Sequence, residues 1–235
     1  MKKILVGGII LLTAVYSVFA GDAAAFVDLG FSSDGSTYIF AQYGKTDRTF
    51  RAWADIFTVD VASNKFVKGE VYRTLPSVST VEESGKEAYQ KLVAKNFSIL
   101  DKYKCKPVSA EDVLYIFVDS TDTDKKNIIT FKDFKGSTLK NPITYQIQLM
   151  PTYKGSGNNT SSSFFITVKK TDGSGKVLDS KTAGSPSIWR KGVTGYKIDR
   201  IFRNKTGNNL IFVIEKTVED QTGVSIRYMI ETLGL

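Results

Sequence analysis

Histidine is missing from all 235 residues, and cysteine occurs once, at Cys105. Without imidazole the chain can build no Ser-His-Asp or Cys-His catalytic arrangement, no histidine general base and no histidine-bound zinc or copper site. Any enzyme made from it has to work with carboxylates, Lys or Tyr. A lone thiol cannot close a disulfide within one chain, and the expectation is a buried, apolar Cys105. Long blocks of like charge are absent too. The formal charge is +8, but Lys and Arg alternate with Asp and Glu, which describes a solvated surface with a mild preference for anionic partners. Without a basic arm, nucleic acid is not an expected partner.

What is present starts with an export signal. Lys2 and Lys3 precede an apolar run over residues 4–14, and Val18 and Ala20 supply the small residues that a signal peptidase reads. The expectation is a signal peptide over residues 1–20, cleaved to give a secreted or periplasmic protein. The alternative is an uncleaved anchor, in which case the membrane is met through this segment alone. No cysteine follows the run, so lipid attachment at a new N-terminal cysteine is excluded.

Residues 21–235 read as a single β-rich domain, long enough to bury a core without crosslinks. In an N-terminal meander, residues 25–75, Val27, Leu29 and Phe31 alternate before the turn at residues 32–35; strands at 37–43 and 53–61 follow. A hairpin centred near Asp47 would set Tyr43 opposite Trp53, Ile39 opposite Phe57 and Asp55 opposite Ala41. Residues 80–104 carry Ala88, Leu92, Val93, Phe97, Leu100 and Tyr103 at helical intervals, behind a capping box from Thr80 to Glu83. Gly85 and the Asn96-Phe97-Ser98 step weaken this helix and are the places where it could break, but the expectation is one helix. A central β segment, residues 113–183, holds strand-like runs at 113–118, 128–134, 143–149 and 164–170, punctuated by Gly/Ser/Asn loops; residues 184–187 close it. The C-terminal meander, residues 192–235, repeats the order and spacing of the first, with Asp199, Phe202 and Phe212 in the places of Asp28, Phe31 and Phe40. The fold class is mainly β: antiparallel meander modules, blade-like or in a sandwich, with one inserted α-helix on a sheet face.

Phe31-Ser32-Ser33-Asp34-Gly35, with Tyr38-Ile39-Phe40 and residues 54–60, resembles a blade of the bacterial propeller repeats related to the periplasmic TolB protein. Over nearly the whole exported chain the sequence resembles more closely a family of predicted secreted bacterial proteins of unknown function, chiefly spirochaetal. Residues 25–32, 192–196, 213–216 and 227–233 carry that likeness. It implies export and a β-rich architecture, and brings no catalytic residues with it.

Three groups of side chains stand out as sites. Asp119, Asp122 and Asp124 form an oxygen-rich loop, but their spacing fits no EF-hand and Lys125 and Lys126 follow, so a solvated turn is the reading. No metal and no cofactor are expected. Glu215, Arg227 and Glu231 lie on the closing hairpin, where a turn centred near Asp220 would put Val213 opposite Arg227 and Glu215 diagonal to it; a structural ion pair is the commoner outcome. Tyr38, Tyr43, Trp53 and Trp189 are the expected ligand-binding aromatics, with Tyr196 near them in type, because Trp and Tyr anchor binding surfaces. The function expected is an exported, non-catalytic β-protein that binds an envelope protein or a wall polymer. The alternative is a carboxylate-dependent hydrolase of a cell-wall glycan, using Glu215 and Glu231.

Overall fold

The structure is a computed structural model that describes residues 22–118, 128–133, 137–221 and 223–235. The signal segment, residues 1–20, and Asp119, Asp122 and Asp124 lie outside the described residues.

The described chain is mainly β, with strands β1 (Asp22–Ala23), β2 (Ala25–Phe31), β3 (Thr37–Lys45), β4 (Ala52–Asp60) and β5 (Lys65–Thr74) leading to helices α1 (Gly85–Lys95) and α2 (Phe97–Tyr103). Then come β6 (Val113–Ile116), β7 (Ile128–Lys132), β8 (Thr144–Lys154), β9 (Ser161–Thr171) and β10 (Val177–Lys191), and finally β11 (Val193–Arg203), β12 (Asn209–Asp220) and β13 (Gly223–Gly234). They form three sheets, with strand orders β2-β3-β4-β5, β1-β13-β12-β11-β6 and β10-β9-β8-β7.

Three apolar clusters fix how these layers stack. Ile39, Ala41, Ala52, Ala54 and Ile56 of the first sheet pack against Ala88, Leu92 and Ile99 of the helices. The opposite face of that sheet, through Tyr38, Phe40, Phe57 and Val59, meets Ile211, Val213 and Ile230. The other face of β12, Leu210, Phe212 and Ile214, packs on Tyr145, Ile147, Phe164 and Ile166 of the third sheet. The five-stranded sheet is therefore buried on both sides, which is why residues 210–214 of β12 read as an unbroken apolar run instead of alternating. Each of those five side chains is fully buried, and each contributes about 1.5–3 kcal/mol by leaving water.

The helix expected at 80–104 begins later and is in two pieces. The capping box is Ser84 with Glu87, whose backbone N–H groups are each accepted by the other's side chain. Thr80 instead ends a short 3-10 turn and donates to the Ala52 carbonyl. The chain breaks at Asn96, whose side-chain amide donates to the Leu92 carbonyl.

Both expected hairpin registers shift. In β3–β4 the observed partners are Phe40 with Phe57, Gln42 with Asp55 and Gly44 with Trp53. The connecting loop closes through Thr46 N–H to the Arg51 carbonyl, with Phe50 at φ 51°, and this moves every pair by one residue. In β12–β13 the tight connection pairs Asp220 with Gly223, so Lys216 faces Arg227 and Val213 faces Ile230.

The central segment is not one unit. β6 joins β11 in the five-stranded sheet, while β7 to β10 form the third. Residues 184–187, read as a closing loop, lie inside β10. That strand is an edge strand with its register broken between Ser185 and Arg190, a place where Pro186 costs no ladder hydrogen bond.

The turns after β2 and β11 close alike. Ser32 N–H donates to the Thr37 carbonyl as Asn204 N–H does to that of Asn209. Ser32 Oγ accepts from Thr37 N, and Asn204 Oδ1 accepts from Asn209 N. Gly35 and Gly207 take φ 73° and 78° at the same step.

Candidate functional site

Arg203 is the last residue of β11 and is buried with two acids, Asp133 at 2.8 Å and Asp112 at 3.7 Å. Asp133 follows β7 and Asp112 precedes β6, so one guanidinium ties together the ends of three strands. Just beyond it, the Asn204–Asn209 turn carries Lys205 outward between two cavities.

The first cavity, about 430 Å³, lies between Ser32 and Ser33 of the β2–β3 turn, the segment from Lys106 to Asp112, and Arg203 with Lys205. Its wall is set by Gly30. Phe31 and Lys106 exchange backbone hydrogen bonds of 3.0 Å each. A Cβ on Gly30 would meet the Lys106 carbonyl oxygen at 1.8 Å, so only glycine lets the two backbones approach.

The second cavity, about 400 Å³, is lined by Asp133, Tyr145, Lys170, Arg203, Lys205 and Asn208 among others. Tyr145 is 1% exposed, and its hydroxyl has no hydrogen-bond partner among the described residues. Burial, and then the negative Asp133, push its phenol up to about 12, so it is a neutral O–H donor at any physiological pH. A buried hydroxyl with no partner costs about 1–3 kcal/mol. Its electrostatic neighbours, Asp133 and Arg203, line the same cavity as the Tyr145 side chain. Lys170 lies 5.7 Å from the Tyr145 ring and lines the same cavity. A buried donor flanked by Lys170 and Lys205 suits an acceptor oxygen of a polar ligand; no nucleophile with an adjacent base is built here.

The structure does not bring the four expected aromatics together. Tyr38 is fully buried and donates to Asp28 Oδ1 at 3.0 Å. Trp53 is 4% exposed; its indole N–H reaches both Asp22 oxygens at 3.2 Å, and Arg227 lies 4.0 Å over its ring. Tyr43 stacks on Tyr89 of α1 at 5.3 Å. Trp189 alone is substantially exposed, with Lys154 over its ring at 4.2 Å, on the edge strand of the third sheet. Tyr196 packs on Phe164 and shares a hydrogen bond with Ser162.

The expected acids separate as well. Glu215 pairs across the hairpin with Tyr228, and Glu231 with Phe212. In a ladder without a bulge, positions 212 and 215 alternate to opposite faces. Glu215 bonds Lys197 at 3.0 Å, while Glu231 bonds Asn64 and lies 3.5 Å from Arg190. The two carboxylates cannot flank one glycosidic bond. Asp55 accepts from Gln42 and faces Arg73 at 3.7 Å. Cys105 is half-buried and burial pushes its thiol up to about 11, so the thiolate is suppressed.

Among the described residues no cluster of His, Cys, Asp and Glu could hold a metal ion. Tyr145 and Lys170, which line the second cavity, fell within runs read only as strands. The signal that marks Tyr145 is its hydroxyl in the apolar stripe of Ile143, Ile147 and Leu149, where a tyrosine needs a partner.

A three-sheet β-protein with a polar cavity at the turn end of its strands is the class this geometry defines. The family described as "Predicted secreted protein (DUF2259)" matches residues 39–233, and the chain belongs to it. Membership supports an exported localisation. No curated protein and no solved structure is matched.

Proposed function

We propose that this is an exported, non-catalytic binding protein that takes a small polar group of a cell-wall polymer into the cavity beside Tyr145. Export follows from a signal peptide over residues 1–20, cleaved after Ala20 to release the protein to the periplasm or beyond. The observation that carries the binding role is the Tyr145 hydroxyl, buried and without a partner among the described residues, on a side chain that lines a cavity of about 400 Å³. Concave spaces of this size suit a sugar or peptide side group, whereas protein partners dock on flatter patches of about 800 Å² a side. The likeness of the turns after β2 and β11 supports a duplicated meander, of which the second copy supplies Lys205.

The test is a titration of the exported protein with muramidase-released wall fragments. Saturable binding, weakened about tenfold or more by Tyr145→Phe and by Lys170→Met, supports the reading. No binding, or binding that neither variant changes, contradicts it.

A further inference from the structure

At the far end of β12 from the turn cavity, each of the three sheets sends a cation to one place. Lys216 of β12 faces Arg227 of β13 directly across the ladder. Arg190 comes from β10 of the third sheet and Arg73 from β5 of the first, and all three guanidiniums act electrostatically on the Lys216 ammonium. Like charges set opposite one another in a ladder are destabilising. Such a cluster is relieved by a balancing negative charge or by loss of a proton from the lysine.

The acids nearby do not balance it. Arg227 holds Asp22, Arg73 faces Asp55 at 3.7 Å and Arg190 faces Glu231 at 3.5 Å. Both distances exceed the 2.7–2.9 Å of a close charge-assisted hydrogen bond; Arg190 gives one N–H to the Ile188 carbonyl at 3.2 Å and a long one to Glu231, and each guanidinium has more N–H groups than these contacts use. Asp55 is committed to Gln42 and Glu231 to Asn64. The Lys216 ammonium has neither a hydrogen bond nor an ion pair among the described residues. Four cations thus meet three carboxylates, and the fourth cation is half-buried and unmatched. Burial, followed by the three guanidiniums, lowers its ammonium to about 8, consistent with a site that lacks its anion.

We propose that Lys216 is the centre of an oxyanion-binding site, for a carboxylate or a phosphate group, built where the three sheets meet and completed by Arg73 and Arg190. Guanidinium N–H pairs match the planar or tetrahedral oxygens of such a group, and the lysine supplies the point charge. The site is independent of the turn cavity.

The experiment measures the melting temperature of the exported protein against inorganic phosphate, and separately against acetate, at fixed ionic strength and pH 7. Specific binding raises the melting temperature in a saturable way. The expected result is a saturable rise with at least one of the two anions, lost or weakened about tenfold in Lys216→Met and retained in Lys216→Arg and in Tyr145→Phe. Which anion acts identifies the group. Lys216→Met removes an unmatched charge and keeps the apolar stem, so it is expected to fold; circular dichroism checks this, and Lys216→Gln serves in its place if it does not. A rise that Lys216→Met or Lys216→Gln leaves unchanged, a rise that Tyr145→Phe abolishes, or no saturable rise with either anion overturns the proposal.

Discussion

Arg227 holds its guanidinium 4.0 Å above the Trp53 ring while it closes an ion pair on Asp22, whose carboxylate accepts the indole N–H. Three distant parts of the chain meet there: the short parallel strand β1, the strand β4 and the hairpin strand β13. Asp22 is 7% exposed and a Cβ on Gly44 would stand 2.9 Å from its oxygen, so the pocket that receives it is closely fitted. Asp22→Ala leaves a half-buried guanidinium without its partner and a buried indole donor without its acceptor. The expected loss is about 1–3 kcal/mol, read as a lower urea midpoint with unchanged slope and monitored by tryptophan fluorescence.

Tyr145→Phe separates stability from binding. Its hydroxyl is buried and has no partner among the described residues, so its removal is expected to leave the free protein unchanged or about 0.5–1 kcal/mol more stable. Equilibrium urea unfolding measures this; a loss above about 1 kcal/mol would show that the hydroxyl has a structural partner in the free protein.

How far the sequence carries this fold is seen residue by residue. Val27, Leu29 and Phe31 alternate and form β2, and the apolar run from Leu210 to Ile214 forms β12. The run says that the strand is covered on both faces, yet nothing local says by what; only the packing of Phe212 on one sheet and Val213 on the other does. Registers were less legible, because one residue in the Thr46–Arg51 loop shifts all pairs beyond it. β10 was hidden by Gly184 and Pro186, which punctuate most sequences but sit comfortably at the bulge of an edge strand. The turn cavity was not legible at all. Tyr145, Lys170 and Lys205 are far apart in sequence, and only the stacking of the third sheet on the five-stranded one brings them to a single wall.

The separation of Glu215 and Glu231 gives opposite expectations for their neutral variants. Glu231 is 5% exposed and bonded to Asn64 and Arg190, so Glu231→Gln is expected to cost about 1–2 kcal/mol. Glu215 pairs with the more exposed Lys197, and Glu215→Gln is expected to cost about 0.5 kcal/mol or less. Because the two lie on opposite faces of the hairpin, a double-mutant cycle should show coupling below about 0.5 kcal/mol. Strong coupling between them would contradict the register.

Lys216 sets a pH dependence of unusual sign. Its ammonium is lowered from 10.5 to about 8 by burial and by Arg190, Arg227 and Arg73, against the opposing pull of Asp55. Between those values the unfolded chain binds a proton that the folded one has released, so stability from this group rises with pH. The cost is fully present below about pH 8 and is relieved as pH climbs toward 10.5. Lys216→Met should therefore be more stable than the parent at pH 7, with the difference shrinking above pH 8. Cys105 works the other way at higher pH, its thiol being raised from 9.0 to about 11, so the difference between the two proteins is the quantity to follow. A difference that stays constant from pH 7 to pH 10 would show that the ammonium is unperturbed.

The central claim, that the turn end of the strands holds the ligand, is tested most directly by hydrogen exchange of the exported protein with and without muramidase-released wall fragments. Protection is expected at residues 204–209 and at 144–146, which frame the cavity beside Tyr145. Protection confined to other surfaces, such as that around Trp189, or none at saturating fragment, would contradict the account.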